Sequence, residues 1–164
     1  MAYLIVLIGI PGSGKSSYAQ TIAKVYSQES EENYVVCSSD AVRARLYGDE
    51  SIQGNPNTVF THLHNEVREN LENGVNVLYD ATNVSRKSRK NIIKLGKSIP
   101  NTKIEAHVVW APVETCIKRD AERDRHVGKE VIDKMLRRWE TPWYDEGFDS
   151  LRFIPTMDMS FSHK

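Results

Sequence analysis

The sequence predicts an α/β protein in which a five-stranded parallel sheet is covered by helices on both faces, giving three layers. Five apolar, β-branched runs bounded by Gly, Pro or Asn have the composition of strands. Helical patterns lie between them, and this alternation is typical of a parallel sheet with helices on both sides. A glycine-rich segment at residues 9–16 follows the first run, where a strand-to-helix turn is expected.

The predicted strands are the runs where Val, Ile, Leu and aromatic residues concentrate. They are Ala2–Ile8, Tyr34–Ser38, Val75–Asp80, Lys103–Trp110 and Leu151–Ile154. The predicted helices repeat apolar residues at three- and four-residue spacing. They are residues 14–28, Asp40–Tyr47, 57–72, Ser85–Ser98, Pro112–Arg125 and 130–140. We expect Ser39 to cap the second helix.

Length, net charge and cysteine content limit the class of protein that this sequence can be. The 164 residues are the length of one domain, expected over 1–164, and the net charge is zero. No overall field therefore attracts nucleic acid or membrane, and a polyanionic partner would need a local basic patch. The apolar runs are too short to span a membrane, and the first lacks the features of a signal peptide. Cys37 and Cys116 form no metal pattern, which favours a reduced cytoplasmic setting.

Residues 9–16 read G-I-P-G-S-G-K-S, the complete phosphate-binding P-loop pattern G-x-x-x-x-G-K-S. Glycines let several backbone N–H groups turn inward towards a phosphate chain, and the helix that follows adds its positive dipole end. Lys15 is expected to reach the β- and γ-phosphates, and the Ser16 hydroxyl to bind Mg²⁺. The residues expected to bind nucleotide in this loop are Gly12, Ser13, Gly14, Lys15, Ser16 and Ser17.

Chemistry is expected at the carboxyl ends of the strands, because ligands of such sheets bind there. Asp40 follows the second strand, and Arg43 comes one helical turn later. The carboxylate can accept a proton from an attacking hydroxyl, and the guanidinium can hold a substrate phosphate or carboxylate. The alternative is that Asp40 only stabilises the helix start through its dipole.

The third predicted strand ends in Asp80, followed by Ala81, Thr82 and Asn83. A carboxylate here is where Mg²⁺-linked Asp residues occur in P-loop proteins. We expect Thr82 and Asn83 to contact substrate, although a simple turn with an Asp is the alternative. Ala81 stands where motor ATPases usually place a Glu, and the guanine-binding pattern N-K-x-D is absent. Transfer to a bound hydroxyl is therefore favoured over motor or GTPase work.

Arg119 and Arg123 are four residues apart in a charged segment that follows the fourth strand. Two like charges on one helix face are tolerated better when an anion binds between them. Gly128 lies in a segment of hinge-like composition, so residues 118–130 are expected to form a lid that brings arginines to ATP. The alternative is a solvated, salt-bridged helix face.

Other candidates are weaker. His62 and His64 point to different sides of a helix, which argues against a metal pair. The basic run 86–90 is either a solvated helix face or a nucleic-acid contact. Trp139, Trp143 and Tyr144 are interpreted as core and interface aromatics rather than as a base-stacking platform.

Together these motifs resemble the 5′-hydroxyl polynucleotide kinase family of phages and bacteria. The likeness rests on the P-loop, the Asp40-x-x-Arg43 pair, the strand end at Asp80, the Arg119-x-x-x-Arg123 pair and residues 146–149. It implies a P-loop kinase with sheet order 2-3-1-4-5, using ATP and Mg²⁺. It also implies that Asp40 activates the 5′-hydroxyl, Arg43 contacts the substrate phosphate and Arg123 contacts the ATP phosphates. The phosphatase and ligase motifs of fused members are absent, so a kinase domain alone is expected.

Three functions remain open at this point. The first is phosphorylation of a polynucleotide 5′-hydroxyl, with single-stranded DNA or RNA as partner. The second is phosphorylation of a nucleoside, nucleotide or other metabolite by the same superfamily. The third is a non-catalytic nucleotide-binding module, from which the first two differ because a binder needs no base at Asp40.

Overall fold

A computed structural model describes residues 1–156. The strands are β1 (Ala2–Ile8), β2 (Tyr34–Ser38), β3 (Asn76–Asp80), β4 (Thr102–Trp110) and β5 (Ser150–Pro155). The helices are α1 (Lys15–Ser30), α2 (Ser39–Tyr47), α3 (Pro56–Glu72), α4 (Arg86–Ser98), α5 (Val113–Ala121) and α6 (Lys129–Arg137), with a 3₁₀ turn at Tyr144–Glu146. Most of the polar tail that begins at Thr156 lies outside the described residues.

The five strands form one parallel sheet in the order β2-β3-β1-β4-β5. This confirms the predicted α/β class and strand order. In the register, Leu7 lies beside Asp80 of β3 and His107 of β4. The carboxyl ends of the three central strands therefore meet at one edge, next to the P-loop.

The pleat of the sheet divides the core between two faces. Even-numbered residues of β1 pack with α3 and α4, through side chains such as Leu63 and Ile92. Odd-numbered residues of β1 pack with Ala19 and Ala23 of α1. Helices α5 and α6 enclose a smaller cluster that includes Ile10 of the P-loop segment. Helices thus cover both faces, as predicted, and α5 and α6 lie by the P-loop.

Three predicted helix ends are wrong, and one of them is the end of α6, which lies at Arg137 rather than at residue 140. The cap of α2 is Ser38, whose side chain accepts a hydrogen bond from the Ala41 N–H at 3.0 Å, and Ser39 is already helical. Helix α5 ends at Ala121 rather than Arg125. The buried Asp120 carboxylate accepts hydrogen bonds from the backbone N–H groups of Val127 and Gly128, at 3.1 and 2.9 Å. These bonds fix the chain as a loop, which the apolar spacing of the helix does not encode.

Within the described residues, none of the helices combines the length and the apolar character that crossing a membrane requires.

Candidate active site

A cavity of about 570 Å³ opens at the carboxyl edge of the sheet. Its wall contains P-loop residues, the start of α2, the end of β3 and the α5–α6 loop. The predicted site residues that line it are Gly12, Ser13, Gly14, Lys15, Ser16, Ser17, Asp40, Arg43, Asp80, Thr82, Arg119 and Arg123. The structure therefore brings the predicted donor and acceptor residues, with the exception of Asn83, into one cavity.

The P-loop backbone takes the shape that its glycines permit. Gly12 and Gly14 have φ angles of 81° and 92°, in the left-handed region. A Cβ atom at Gly12 would lie 2.1 Å from the Cys116 carbonyl oxygen, so α5 requires glycine there as well. The Ser13 N–H donates to the Ile10 carbonyl at 3.1 Å, and its buried hydroxyl has no hydrogen-bond partner among residues 1–156.

Asp80 holds two P-loop side chains in place. Its Oδ1 lies 3.2 Å from Lys15 Nζ, and its Oδ2 accepts a hydrogen bond from Ser16 Oγ at 3.0 Å. The Asp80 side chain is 8% exposed, so the carboxylate is partly desolvated and the ion pair orients the ammonium towards the loop. Ser16 and Asp80, which were expected to bind the same Mg²⁺, are therefore in direct contact, and Asp80 also pairs with Lys15, which the sequence did not predict.

The oxygen atoms of Ser16 and Asp80 are suitable ligands for Mg²⁺. This cation takes oxygen ligands and is usually bound by one or two carboxylates together with substrate phosphates. In the part of the chain that the structure describes, no group of three or more His, Cys, Asp or Glu side chains is arranged to hold a metal. The ion would therefore be held by Ser16 and Asp80 with phosphate oxygens, where it would neutralise developing charge.

Asp40 is held by two arginines. Its Oδ1 accepts from Arg43 Nη1 at 3.0 Å and from Arg125 Nη1 at 2.9 Å. Oδ2 has no hydrogen-bond partner within residues 1–156. Arg125 comes from the loop between α5 and α6, and sequence reasoning missed it. The signal was its place in the charged segment 118–126, but which arginine reaches α2 depends on the loop path.

The two predicted lid arginines differ in their surroundings. Arg119 Nη1 lies 3.4 Å from the Gly12 carbonyl and 3.0 Å from Thr156 Oγ1, so it is tied to the P-loop and to the end of β5. Arg123 was predicted on the same helix face, but it lies in the loop after α5. It is exposed, and residues 1–156 offer it no carboxylate within ion-pairing distance.

Thr82 and Asn83 separate in the structure. Thr82 lines the cavity. Asn83 is buried, with a φ angle of 52°, and its side-chain amide donates to the carbonyls of Leu7 and Ala81 at 2.8 and 3.2 Å. Its own carbonyl accepts from Arg89 Nη1 at 2.8 Å. Asn83 therefore braces the ends of β1 and β3 and does not line the cavity.

The weaker candidates are also placed. His64 lies 3.0 Å from the Tyr79 hydroxyl and takes part in packing between α3 and the sheet. Arg89 of the basic run is buried and paired with Glu146 at 2.8 Å, so it cannot contact nucleic acid. Trp143 and Tyr144 are 57% and 50% exposed, so of their interpretation as core and interface aromatics the core part is wrong.

Charge distinguishes this cavity from the neutral chain as a whole. Within the described part of the chain, five cationic side chains line it against two carboxylates. They are Lys15, Arg43, Arg119, Arg123 and Arg125, with Asp40 and Asp80. Such an excess in a partly enclosed space attracts an anion that carries several charges.

Comparison with known proteins finds relatives of this sequence. "Transcription factor bHLH140" of Arabidopsis thaliana is 31% identical over 157 residues, which cover 92% of this chain and 16% of that protein. The L-seryl-tRNA(Sec) kinase of Methanococcus maripaludis is 26% identical over 144 residues, which cover 85% of this chain and 53% of that protein. The chain thus spans about half or less of the length of these curated relatives.

Comparison with solved structures finds proteins of the same fold as this chain. A chain in the structure of the Pnkp1/Rnl/Hen1 RNA repair complex aligns with a TM-score of 0.69 at 27% identity. The alignment covers 84% of this chain and 43% of that chain. Residues 4–142 match the family model AAA_33, which is described as an AAA domain. The chain belongs to the AAA_33 family and has the P-loop kinase fold.

Proposed function

We propose that this protein is an ATP-dependent kinase that transfers the γ-phosphate to the 5′-hydroxyl of a polynucleotide. The observation that carries the proposal is the position of Asp40. It lies in the same cavity as the Lys15–Ser16–Asp80 group, on the side where Arg43 and Arg125 meet. A protein that only binds nucleotide needs no such carboxylate opposite its phosphate-binding loop.

Each of the cavity residues has a separate role in the transfer. Asp40 Oδ2, which is free of protein partners among residues 1–156, accepts the proton of the attacking hydroxyl while Oδ1 stays bound to two guanidinium groups. The hydroxyl oxygen forms a bond to the γ-phosphorus as the bond to the leaving ADP oxygen breaks. Lys15, Arg119 and Arg123 stabilise the charge that builds on the phosphate oxygens.

The acceptor side has room for a second anion. Arg43 uses Nη1 for Asp40, whereas its Nη2 has no hydrogen-bond partner in the described chain. The side chain is 13% exposed in the cavity wall, so Nη2 is left to donate to a ligand oxygen, and a hydrogen bond between charged groups contributes about 1.5–3 kcal/mol. The phosphate that follows the first nucleoside of a 5′-hydroxyl strand would supply that oxygen.

The relatives are compatible with a nucleic-acid acceptor. One is named a kinase of seryl-tRNA, and another structure is named an RNA repair complex. The alternative acceptor is a nucleoside, nucleotide or other metabolite, which would use the same donor residues. The difference between the two proposals lies entirely on the acceptor side of the cavity.

A labelling experiment tests the proposal. The protein is incubated with γ-labelled ATP, Mg²⁺ and three acceptors: a 5′-hydroxyl oligonucleotide, the same strand carrying a 5′-phosphate, and a panel of nucleosides and sugars. We expect label only on the 5′-hydroxyl strand, and phosphatase treatment should remove it. Labelling of a metabolite without any oligonucleotide would overturn the polynucleotide acceptor, and ATP binding without transfer to any acceptor would overturn the kinase.

A further inference from the structure

We infer that the outer face of α4, together with the Trp143–Tyr144 pair, binds the single-stranded part of a polynucleotide that extends away from the cavity. The inference rests on the proposed function for where the 5′ end lies. It adds a second binding surface that the reaction itself does not require. Four lysines form this surface and are here named the α4 lysine stripe: Lys87, Lys90, Lys94 and Lys97.

The stripe is a consequence of helix geometry. Helix α4 contains six basic residues and no acidic ones. Arg86 is paired with Asp145 at 2.8 Å, and Arg89 is buried against Glu146. The four lysines are spaced by three and four residues, so they lie on one face, opposite the buried Ile92 and Gly96. All four are exposed, and no carboxylate of residues 1–156 lies within ion-pairing distance of them.

This arrangement is unfavourable for an isolated helix. Like charges three and four residues apart repel each other, and a cation in the first turn opposes the helix dipole. Lysines elsewhere do not form such a row: Lys129 of α6 pairs with Asp133 at 2.8 Å, and the exposed Lys24 of α1 has no second surface lysine on its helix. A partner that supplies a row of negative charges removes the repulsion along α4, and a nucleic-acid strand carries such a row.

The stripe begins beside the cavity. Helix α4 starts six residues after Asp80, and Thr82 between them lines the cavity. From Lys87 to Lys97 the helix rises about 15 Å, which matches about four phosphates at the spacing of a stacked strand. A strand whose 5′ end reaches Asp40 can therefore continue along the stripe.

Exposed aromatic rings lie next to the start of the stripe. Trp143 and Tyr144 meet edge to face, with ring centroids 5.4 Å apart. Their segment is fixed to α4 because Glu146 accepts from both the Trp143 N–H, at 2.9 Å, and Arg89. Unpaired bases stack on exposed aromatic rings, whereas the bases of a double helix are stacked on each other and are not free to do so. The combination of lysines and rings therefore fits a single strand better than a duplex.

Binding and salt dependence test the surface separately from catalysis. Fluorescence anisotropy is measured with 3′-labelled 5′-hydroxyl strands, one a dinucleotide and one of about 12 nucleotides. For wild type we expect the longer strand to show a steeper log–log salt dependence by about 2–3, because each single-strand phosphate contact contributes about 0.7. Replacing the four stripe lysines by Gln should remove this difference and weaken binding of the longer strand about tenfold or more. Trp143→Ala should weaken it about fivefold or more.

Matched controls decide the outcome. Lys90→Gln/Lys94→Gln is compared with Lys24→Gln/Lys103→Gln, two exposed lysines on the α1 side of the sheet, and thermal unfolding confirms that all variants fold. Equal losses in the two pairs, or equal salt slopes for both strand lengths in wild type, would overturn the inference. Normal labelling of oligonucleotides would leave the proposed function standing in that case. Length-dependent binding without any labelling would retain the surface and overturn the kinase.

Discussion

At the scale of single residues, the cavity is organised by carboxylates that each hold two cationic or hydroxyl partners. Asp80 fixes Lys15 and Ser16, and Asp40 fixes Arg43 and Arg125. Each pair leaves one group turned towards ligand: the P-loop ammonium on the donor side and a free carboxylate oxygen on the acceptor side. Catalysis by positioning and charge stabilisation depends on such fixed groups.

Lys15→Ala should abolish transfer. Among residues 1–156, Lys15 is the only lysine that lines the cavity, and its loss also leaves the Asp80 carboxylate without its cation. A missing charge on the β- and γ-phosphates is expected to lower kcat by about 10²–10⁴. Single-turnover transfer measures the effect, with Lys129→Ala as the control because that lysine is exposed and pairs with Asp133. Wild-type turnover in Lys15→Ala would show that the P-loop has another role.

Arg125→Ala should lower kcat about tenfold by loosening Asp40, since a buried or partly buried charged hydrogen bond contributes about 1.5–3 kcal/mol. If Arg125 acts through Asp40, the same substitution should cost almost nothing more in an Asp40→Asn background. Arg125→Lys should recover part of the activity, and Arg138→Ala is the control at an exposed arginine. An equal loss in both backgrounds would mean that Arg125 acts on ATP instead.

At the scale of elements, the sequence patterns predicted what depends on local periodicity. The P-loop motif and the apolar runs gave the strands and helices α1 to α4 within about two residues of their bounds, whereas α6 ends three residues before its predicted end. They could not give the end of α5, because Asp120 is fixed by backbone donors seven and eight residues away. Arg89 was within reach of the sequence: it shares its helix face with Ile92, Ile93 and Gly96, which predicts burial.

The packing of α3 on the sheet should weaken in mild acid because of His64. Burial lowers the pKa of His64 below its usual 6.5, so the unfolded chain binds its proton first as pH falls. Stability from this group is complete above about pH 6.5 and is lost as pH falls towards the lower pKa of the folded state. The unfolding free energy should therefore fall between about pH 7.5 and 5.5, by up to about 1.4 kcal/mol for each unit of pKa difference.

Denaturant unfolding at both pH values checks this. His64→Gln should show a smaller decrease than wild type, whereas His62→Gln, at an exposed histidine of the same helix, should keep the wild-type decrease. If His64→Gln retains the full pH dependence, other groups cause it. Glu105 is not expected to interfere, because the hydrogen bond from His107 holds its pKa below 4.5, outside this range.

At the scale of the whole molecule, a chain of zero net charge carries an excess of cationic side chains both in the cavity and on the outer face of α4. Composition alone could exclude a general attraction to polyanions, but it could not show this separation. Arg125 illustrates why: its role depends on a loop that crosses from α5 towards α2. The fold was predictable from local patterns, whereas the acceptor side of the site depends on tertiary contacts.

The central claim is that Asp40 accepts the proton of a 5′-hydroxyl during transfer from ATP. Its most direct test is single-turnover transfer from γ-labelled ATP to a 5′-hydroxyl oligonucleotide, comparing wild type with Asp40→Asn. Asparagine preserves the shape of the side chain, so we expect unchanged ATP binding and thermal stability, with transfer slowed about 10²-fold or more. Transfer at the wild-type rate by Asp40→Asn, or no labelled oligonucleotide with wild type, would contradict the account.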